Sequence, residues 1–294
     1  MRDFEYLEPT SVAEASRLLA ALEDDEVRVM AGGTALMLTM RQRMVQPSHV
    51  ISMARIDRLQ GIEFDPQQGL RIGALTRHAD LAASPVVQRH YPMLASMAER
   101  VANPQVRNQG TLGGNLCYGD PSTDPPSCLL ALDAAVVLGS TRGERCMPLD
   151  EFIVDYFETA LEPDEILVEV RIPPLPPGVK GIYSRFLRTA AEHRPLVSVA
   201  LVAGLDGGGC HDVRIAVGAS TPIPCRMKNA EAMLQGRRVD AALAAQAADL
   251  VAQDIEPLSD SRGSAEFRRD MVRVVVRRTI CELFELSIDE GRAP

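Results

Sequence analysis

The first 175 residues alternate between short apolar segments of helical and of strand periodicity. Apolar side chains recur at every third or fourth position from Val12 to Leu22, and Ser11 with Glu14 forms a capping box before them, which predicts an amphipathic helix. The same criteria predict helices at 36–45, 77–83 (with Thr76 as N-cap), 92–101, 125–132 and 149–156, and strands at 27–30, 49–53, 70–75, 135–138, 144–147 and 166–172. This half of the chain is therefore expected to combine helices with sheet.

A proline-rich segment at 173–178 is the clearest boundary in the sequence. Its four prolines in six residues favour an extended linker. Beyond it, the pattern predicts three antiparallel strands at 182–188, 197–205 and 212–219, and helices at 227–234, 239–251 and 266–284. The expected fold class is α+β, with domains at 1–175 and 176–294, and the second domain is a three-stranded antiparallel sheet backed by helices.

Charge and cysteine spacing exclude several functional classes. The net charge of −9 argues against binding to a nucleic-acid backbone. No apolar run approaches the roughly 18–20 residues of a membrane span, and the acidic start of the chain is unlike a signal peptide, so a cytoplasmic location is expected. The six cysteines lie at least eleven residues apart without a Cys-x-x-Cys pair, and the histidines are dispersed, so no metal site is expected in this chain.

Two glycine-rich segments are the candidates for chemistry. Residues 29–36, V-M-A-G-G-T-A-L, predict a strand, a double-glycine turn and a helix start, and such a turn directs backbone N–H groups toward a phosphate. Residues 110–124, G-T-L-G-G-N-L-C-Y-G-D-P-S-T-D, predict a long irregular segment with a second Gly-Gly pair, ending at the hydrogen-bond acceptor Asp124. Neither has the spacing of a P-loop or of a dinucleotide-binding motif. Each alone is compatible with an ordinary tight connection, but the pair favours two loops that hold one extended ligand containing a diphosphate.

Seven segments in order carry a resemblance to a known family. They are F-E-Y-L-E-P-T-S-V-A-E-A at 4–15, A-G-G-T-A-L at 31–36, R-I-G-A-L-T-R-H at 71–78, A-N-P-Q-V-R-N-Q-G-T-L-G-G-N at 102–115, D-P-S-T-D-P-P at 120–126, D-E-I-L-V-E-V-R-I-P at 164–173 and S-D-S-R-G-S-A-E-F-R-R at 259–269. The chain resembles the FAD-binding medium subunit of the molybdenum hydroxylases, which include xanthine dehydrogenase and carbon monoxide dehydrogenase. The resemblance implies an FAD-binding domain of the vanillyl-alcohol-oxidase/PCMH type with subdomains at about 1–55 and 56–175, followed by the C-terminal domain of these flavoproteins.

The resemblance also implies which residues bind the cofactor. The backbone of two turns would hold the FAD diphosphate: Ala31, Gly32, Gly33, Thr34 and Ala35 in the first, and Thr111, Gly113, Gly114 and Asn115 in the second. The isoalloxazine ring would lie beside Leu36 and Leu167, and the adenine beside Ala102 and Val106. Asp124 would accept hydrogen bonds from ribityl or ribose hydroxyl groups, and Thr76 and His78 would make further contacts. No catalytic side chain is implied.

The sequence departs from the family at two positions near the implied cofactor. Many relatives carry a lysine after the phenylalanine of the first C-terminal strand, whereas Phe186 is followed here by Leu187, and either Arg185 or Arg188 could substitute for the lysine. His193 falls where some relatives place an aromatic residue over the flavin, and it is either a gate to the ring or a surface residue.

The function implied by the resemblance is electron transfer. A large partner subunit with a molybdopterin cofactor would hydroxylate the substrate, and a small subunit with [2Fe-2S] clusters would pass electrons to FAD in this chain and on to NAD, oxygen or a quinone. The expected assembly is a heterotrimer or a dimer of heterotrimers. Two alternatives stay open: a free-standing FAD oxidoreductase that acts on a small substrate, and a scaffold that kept the fold and lost the cofactor. The substrate and the acceptor are not determined by this sequence.

The second Gly-Gly pair yields a first testable expectation. Gly114→Val should abolish or greatly weaken FAD binding, because a side chain at this position blocks the close approach of the diphosphate, while the C-terminal domain stays folded. FAD content of the purified variant and its circular dichroism spectrum check this. Stoichiometric FAD in the variant would show that the segment has another role.

Overall fold

The N-terminal part of the chain forms a small parallel sheet flanked by two helices. The computed structural model describes residues 2–23, 26–206 and 209–287. The sheet consists of β1 (Glu5–Leu7), β2 (Val27–Met30) and β3 (His49–Ser52) in the order β1-β3-β2, and the connecting helices are α1 (Val12–Ala21) and α2 (Thr34–Arg41). Both strand pairs are parallel, as is usual when a helix returns the chain to the same end of the sheet. The pattern does not predict strand β1, because three residues, two of them exposed, give no periodic signal.

A second sheet is antiparallel and carries most of the helices on one side. The chain continues with β4 (Ile62–Asp65), β5 (Gly69–Gly73), β6 (Ala135–Ser140), β7 (Gly143–Pro148), the short pair β8 (Ile153–Asp155) and β9 (Glu158–Thr159), and β10 (Ile166–Ile172). The five-stranded sheet has the order β4-β5-β10-β6-β7, with β10 in the centre. The helices between the strands are α3 (His78–Ala83), α4 (Pro85–His90), α5 (Pro92–Arg100), α6 (Pro104–Gln109), α7 (Leu112–Tyr118), α8 (Pro125–Ala131) and α9 (Leu149–Phe152).

Three local predictions in this part are wrong. Residues 112–118, expected to be irregular, form α7, because the Thr111 side chain caps the helix and Gly119 ends it in the left-handed conformation at φ 64°. Thr76 does not cap the next helix: its hydroxyl donates to the carbonyl of Gly61 at 3.0 Å. The helix predicted at 149–156 ends at Phe152, and the chain continues as β8.

The C-terminal part is an antiparallel sheet with three helices, as the α+β prediction required. Its strands are β11 (Val179–Phe186), β12 (Val197–Asp206), β13 (Gly209–Gly218) and β14 (Cys225–Arg226), paired in this order. Its helices are α10 (Lys228–Leu234), α11 (Ala241–Asp254) and α12 (Ala265–Leu283). The sheet therefore has a fourth strand beyond the three that the sequence predicts, and this strand is only two residues long.

The strand β12 is buried on both faces. Val199 and Leu201 pack into the cluster that β12 and β13 form with α10, α11 and α12. Ala200 and Val202, which alternate with them, pack into the core of the N-terminal half. Ser198 adds a buried hydrogen bond to this face, since its hydroxyl lies 3.0 Å from that of Ser127 in α8. The C-terminal sheet thus joins two cores, and α8 lies between the glycine-rich segment and this sheet.

No helix among the described residues has the length and apolar character needed to cross a membrane.

A carboxylate is buried at the centre of the five-stranded sheet. Glu169 in β10 is 5% exposed, and it accepts hydrogen bonds from Arg71 at 3.0 Å and from Arg171 at 2.6 Å. Burial alone would raise the pKa of Glu169, but the hydrogen bonds from the two arginines outweigh it, and the pKa is lowered from its ordinary value of 4.5. The ionised form therefore stabilises the folded chain above that pH.

Glu169→Gln should destabilise the chain in a pH-dependent way. At pH 7 the loss is about 1–3 kcal/mol, because two arginines lose a buried anion. A depressed folded-state pKa contributes stability that is present above the unfolded value and is lost as the pH falls through the folded value. The difference between variant and wild type should therefore shrink below pH 4.5, as thermal unfolding at pH 3.5 to 7 can show. Glu63→Gln, at a 76% exposed partner of Arg71, is the control with little effect, and an equal loss in both variants would contradict the expectation.

Candidate functional site

The first glycine-rich turn leaves the start of α2 open. Gly33 precedes the helix with a left-handed φ of 72°, and no described side chain caps the helix. The residues from Ala31 to Leu36 are all half-exposed. Uncapped N–H groups and the positive end of the helix dipole favour an anion at this position. The binding of a phosphate group at this turn stays a prediction.

The two glycine-rich segments lie against each other. A Cβ on Gly32 would stand 1.9 Å from the carbonyl oxygen of Gln109, and a Cβ on Gly114 would stand 3.2 Å from the Cβ of Ala31. Both glycines thus allow the backbones to meet. The atom nearest to a Cβ on Gly114 would be the Thr111 hydroxyl oxygen at 2.8 Å, so a valine there would disturb the protein's own packing. Gly114→Val keeps its expected direction, but its first effect is on the Thr111 cap of α7, and its second is on the contact with Ala31 in the first segment.

The backbone of the second segment is largely committed to the protein. Its amide groups donate within the chain: Leu112 to the Thr76 carbonyl, Gly113 to the Ala74 carbonyl, Gly114 to the Thr111 hydroxyl and Asn115 to the Thr111 carbonyl, all at 2.9–3.1 Å. These bonds fix α7 to the end of β5. The prediction that the backbone of Thr111–Asn115 holds a diphosphate is therefore not supported for these four amides, and it stays a prediction for the rest of the turn.

Two buried polar atoms beside these segments have no hydrogen-bond partner in the part of the chain that the structure describes. The amide nitrogen of Asn115 donates to the hydroxyl of Thr123 at 2.7 Å, whereas its buried Oδ1 has no hydrogen-bond partner among the described residues. The same holds for Nδ1 of His78, whose ring would stand 3.4 Å from a Cβ placed on Gly110. An unpaired buried polar atom costs about 1–3 kcal/mol. A ligand with hydroxyl or N–H groups, such as FAD, fits both positions.

His78 is neutral at physiological pH. It is 2% exposed, and burial together with the positive charge of Arg107 lowers its pKa to about 4. A neutral imidazole has one donor and one acceptor nitrogen, so it can form a hydrogen bond without adding charge to the site. The predicted role of His78 as a ligand contact fits this state.

Asp124 lies between the two halves of the chain. It is 2% exposed, and its Oδ1 accepts hydrogen bonds from the Tyr183 hydroxyl at 2.7 Å and from Arg185 at 3.1 Å. Burial raises the pKa of Asp124, and the charge of Arg185 acts in the opposite direction. The expected bond from Asp124 to a sugar hydroxyl stays a prediction, and it would have to coexist with these two bonds.

Of the residues considered as substitutes for the missing lysine, Arg185 is the one at this carboxylate. Arg188 forms its ion pair with Glu192 and donates to the carbonyl of Arg262. His193 is exposed. Sequence reasoning missed Tyr183, because a single tyrosine in a predicted strand gives no sign of which carboxylate it will meet.

The remaining predicted residues are Ala102, Val106 and Leu167. Ala102 has a left-handed φ of 45°, and its carbonyl accepts a hydrogen bond from Arg107 at 3.2 Å. Val106 is half-exposed in α6, and its carbonyl accepts from Gly110 at 2.6 Å, which links it to the second segment. Leu167 is 3% exposed inside the core of β10, so its side chain offers almost no surface to a ligand. Its predicted position beside the flavin ring stays a prediction.

No group of three or more metal-ligating side chains occurs in the part of the chain that the structure describes.

Known families and proteins match the chain along nearly its whole length. The family described as "FAD binding domain in molybdopterin dehydrogenase" matches residues 2–175, and "CO dehydrogenase flavoprotein C-terminal domain" matches residues 182–283. The nicotine 6-hydroxylase medium subunit of Paenarthrobacter nicotinovorans is 36% identical over 277 residues, 94% of this chain and 96% of that protein. The carbon monoxide dehydrogenase medium chain of Hydrogenophaga pseudoflava is 35% identical over 277 residues, with the same coverage of 94% and 96%.

A solved structure gives the same result for the fold. Carbon monoxide dehydrogenase from Hydrogenophaga pseudoflava, in a form that lacks the Mo-pyranopterin moiety of its cofactor, matches with a TM-score of 0.91 at 36% identity, covering 95% of this chain and 96% of that chain. The chain therefore belongs to the family of FAD-binding flavoproteins of the molybdopterin dehydrogenases. The recognition of this family, the predicted fold class and FAD as the cofactor are confirmed.

Alanine substitutions at the two adjacent glycines of the first turn should destabilise the chain to different extents and for different reasons. Gly32→Ala should lower the melting temperature by about 5–10 °C, because its Cβ meets backbone atoms that cannot rotate away. Gly33→Ala should lose only about 1 kcal/mol from its left-handed backbone, since its Cβ meets the flexible Met30 side chain at 3.3 Å. Thermal unfolding of both variants without FAD checks this, and equal losses would show that the two segments do not lie in contact in solution.

Proposed function

We propose that this chain is the FAD-binding electron-transfer subunit of a heteromeric molybdenum hydroxylase. In this assembly it accepts electrons from a small subunit with [2Fe-2S] clusters and passes them to an external acceptor, while a large subunit with a molybdopterin cofactor hydroxylates the substrate. The relatives named as medium subunit and medium chain support the assignment, since such a name belongs to one part of a larger enzyme. The six cysteines are unpaired, as is usual in the reducing cytoplasm, where we place the complex.

The observation that carries the proposal is the contact between the two glycine-rich segments. It brings the uncapped start of α2 next to the segment that holds Asn115 and to the buried ring of His78. The start of α2 favours a phosphate, and Asn115 and His78 offer buried polar atoms that have no hydrogen-bond partner among the described residues. A dinucleotide with a polar sugar chain satisfies both requirements, which a simple anion would not.

The chain's own residues bind and orient the cofactor. The first turn, from Ala31 to Ala35, would hold the diphosphate through its N–H groups, with Leu36 beside the ring system. His78 and Asn115 would hydrogen-bond to polar groups of the ligand without adding charge. FAD, when bound, supplies the capacity to take up and release electrons. No general acid, base or nucleophile in this chain is needed for that role.

The division of labour along the chain is part of the same proposal. Residues 1–175 form the cofactor-binding domain, with subdomains at about 1–55 and 56–175, and residues 176–294 form the second domain. The small parallel sheet would supply the first turn, and the five-stranded sheet with its helices would supply the second segment. The two family matches, which end at 175 and begin at 182, support this division.

Purification of the full chain with and without added FAD tests the proposal. One FAD per chain is expected, and FAD at a hundred times its dissociation constant should stabilise the chain by about 2.7 kcal/mol. The isolated chain should turn over no organic substrate, whereas addition of the partner subunits should allow substrate-dependent reduction of the bound flavin. A chain that takes up no FAD and shows no thermal shift would contradict the proposal. Turnover of a substrate by the isolated chain would favour the free-standing oxidoreductase.

A further inference from the structure

The C-terminal segment S-D-S-R-G-S-A-E-F-R-R supplies none of the residues predicted to bind FAD, yet buried side-chain contacts hold it in the fold. Arg268 within it is 1% exposed, and its guanidinium lies 2.6 Å from Asp260 and donates to the carbonyl of Ala219 at 2.9 Å. A further bond reaches the carbonyl of Leu196 at 3.3 Å. Arg268 thus anchors residues 259–264 to the ends of β12 and β13.

A second arginine of this segment reaches across to the other half of the chain. Arg262 donates from Nη2 to the hydroxyl of Ser122 at 2.5 Å. Asp260 orients it, since the backbone N–H of Arg262 donates to that carboxylate at 2.8 Å and the guanidinium lies 3.5 Å from it. The Arg262 side chain is only 21% exposed, so this contact is shielded from water over most of its surface.

Ser122 belongs to the loop 119–124, which three arginines of the C-terminal half hold at alternate residues. Asp120 pairs with Arg194, Ser122 with Arg262, and Asp124 with Arg185. Thr123 lies between Ser122 and Asp124, and its hydroxyl accepts a hydrogen bond from the side-chain amide of Asn115 at 2.7 Å. Within the second glycine-rich segment, this hydrogen bond links the loop 119–124, which the C-terminal half holds, to Asn115 in α7.

The three contacts differ in the strength that their surroundings allow. Arg194 has 59% of its side chain exposed, and an exposed ion pair contributes little. Arg262 and Arg185 are 21% and 16% exposed, and hydrogen bonds from a charged donor in such places are among the stronger ones. Arg262 and Arg185 are therefore expected to hold the loop 119–124 more strongly than Arg194 does.

We infer that Arg262 is a positioning residue for the binding of FAD. Arg262 holds the loop 119–124 through Ser122, and the loop in turn holds the side chain of Asn115 through Thr123. Arg262 makes no contact with the cofactor itself in this assignment. The C-terminal domain would thereby influence a candidate site that lies in the N-terminal half. This inference rests on the proposed function, because it takes the candidate site to be the FAD site.

The test compares FAD binding and stability of the apo chain in matched variants. Arg262→Ala and Ser122→Ala should each raise the dissociation constant for FAD by about five- to twentyfold, since each removes the same charged hydrogen bond. The double variant should bind no more weakly than the weaker single one, because the two residues act as a pair. Arg262→Lys, which keeps one donor, should restore part of the affinity. Arg273→Ala, which removes ion pairs with Asp249 and Asp270 on the far helices, is the control with unchanged affinity.

The thermal unfolding of each apo variant separates positioning from plain stabilisation. The inference holds if FAD affinity falls in Arg262→Ala and Ser122→Ala while their apo melting temperatures stay close to that of Arg273→Ala. It is overturned if affinity matches wild type, or if the two effects add in the double variant. If Arg262→Ala does not fold, Ser122→Ala decides the question alone, as it removes one hydroxyl group. Failure of wild type to bind FAD would instead reject the proposed function.

Discussion

The close approach of two backbones at Gly32 and Gln109 is the contact on which the candidate site depends. It joins the end of β2 in the small parallel sheet to the turn before α7, at a separation that leaves no room for a Cβ. Neither segment forms the candidate site alone, since the first offers only the open start of a helix and the second has used most of its amides. The candidate site depends on the contact between the two, and glycine is the only residue that allows this contact.

The C-terminal half packs against the N-terminal half that carries the candidate site. Its central strand β12 is packed on one face by helices and on the other by the N-terminal core, so the two halves share buried surface. The buried carboxylate of Asp124 lies at this junction with Tyr183 and Arg185. A cofactor site that borders such a junction can be sensitive to both halves, even where one of them makes no direct contact.

The sequence predicts the regular elements well and the contacts between them poorly. Strand β10 and helix α12 lie within a residue or two of their predicted positions, because long periodic segments carry their own signal. Helix α7, which Thr111 caps, is not predicted, because its two consecutive glycines are more typical of a loop than of a helix. The turn 31–35 is recognisable from its glycines, but the partners of Asp124 are residues far away in the chain, such as Tyr183. No local pattern encodes such pairs.

The two-sided burial of β12 limits how this protein can change over generations. On an ordinary surface strand, every second position faces water and can drift without consequence. Here the consecutive residues Ala200 and Leu201 belong to different hydrophobic cores. A larger residue at 200 would press on the core of the N-terminal half, and a larger residue at 201 would press on the helices of the C-terminal half. Alternate positions along this strand are therefore restricted by two separate packed environments. Compensating changes for substitutions at neighbouring positions would have to come from separate parts of the chain.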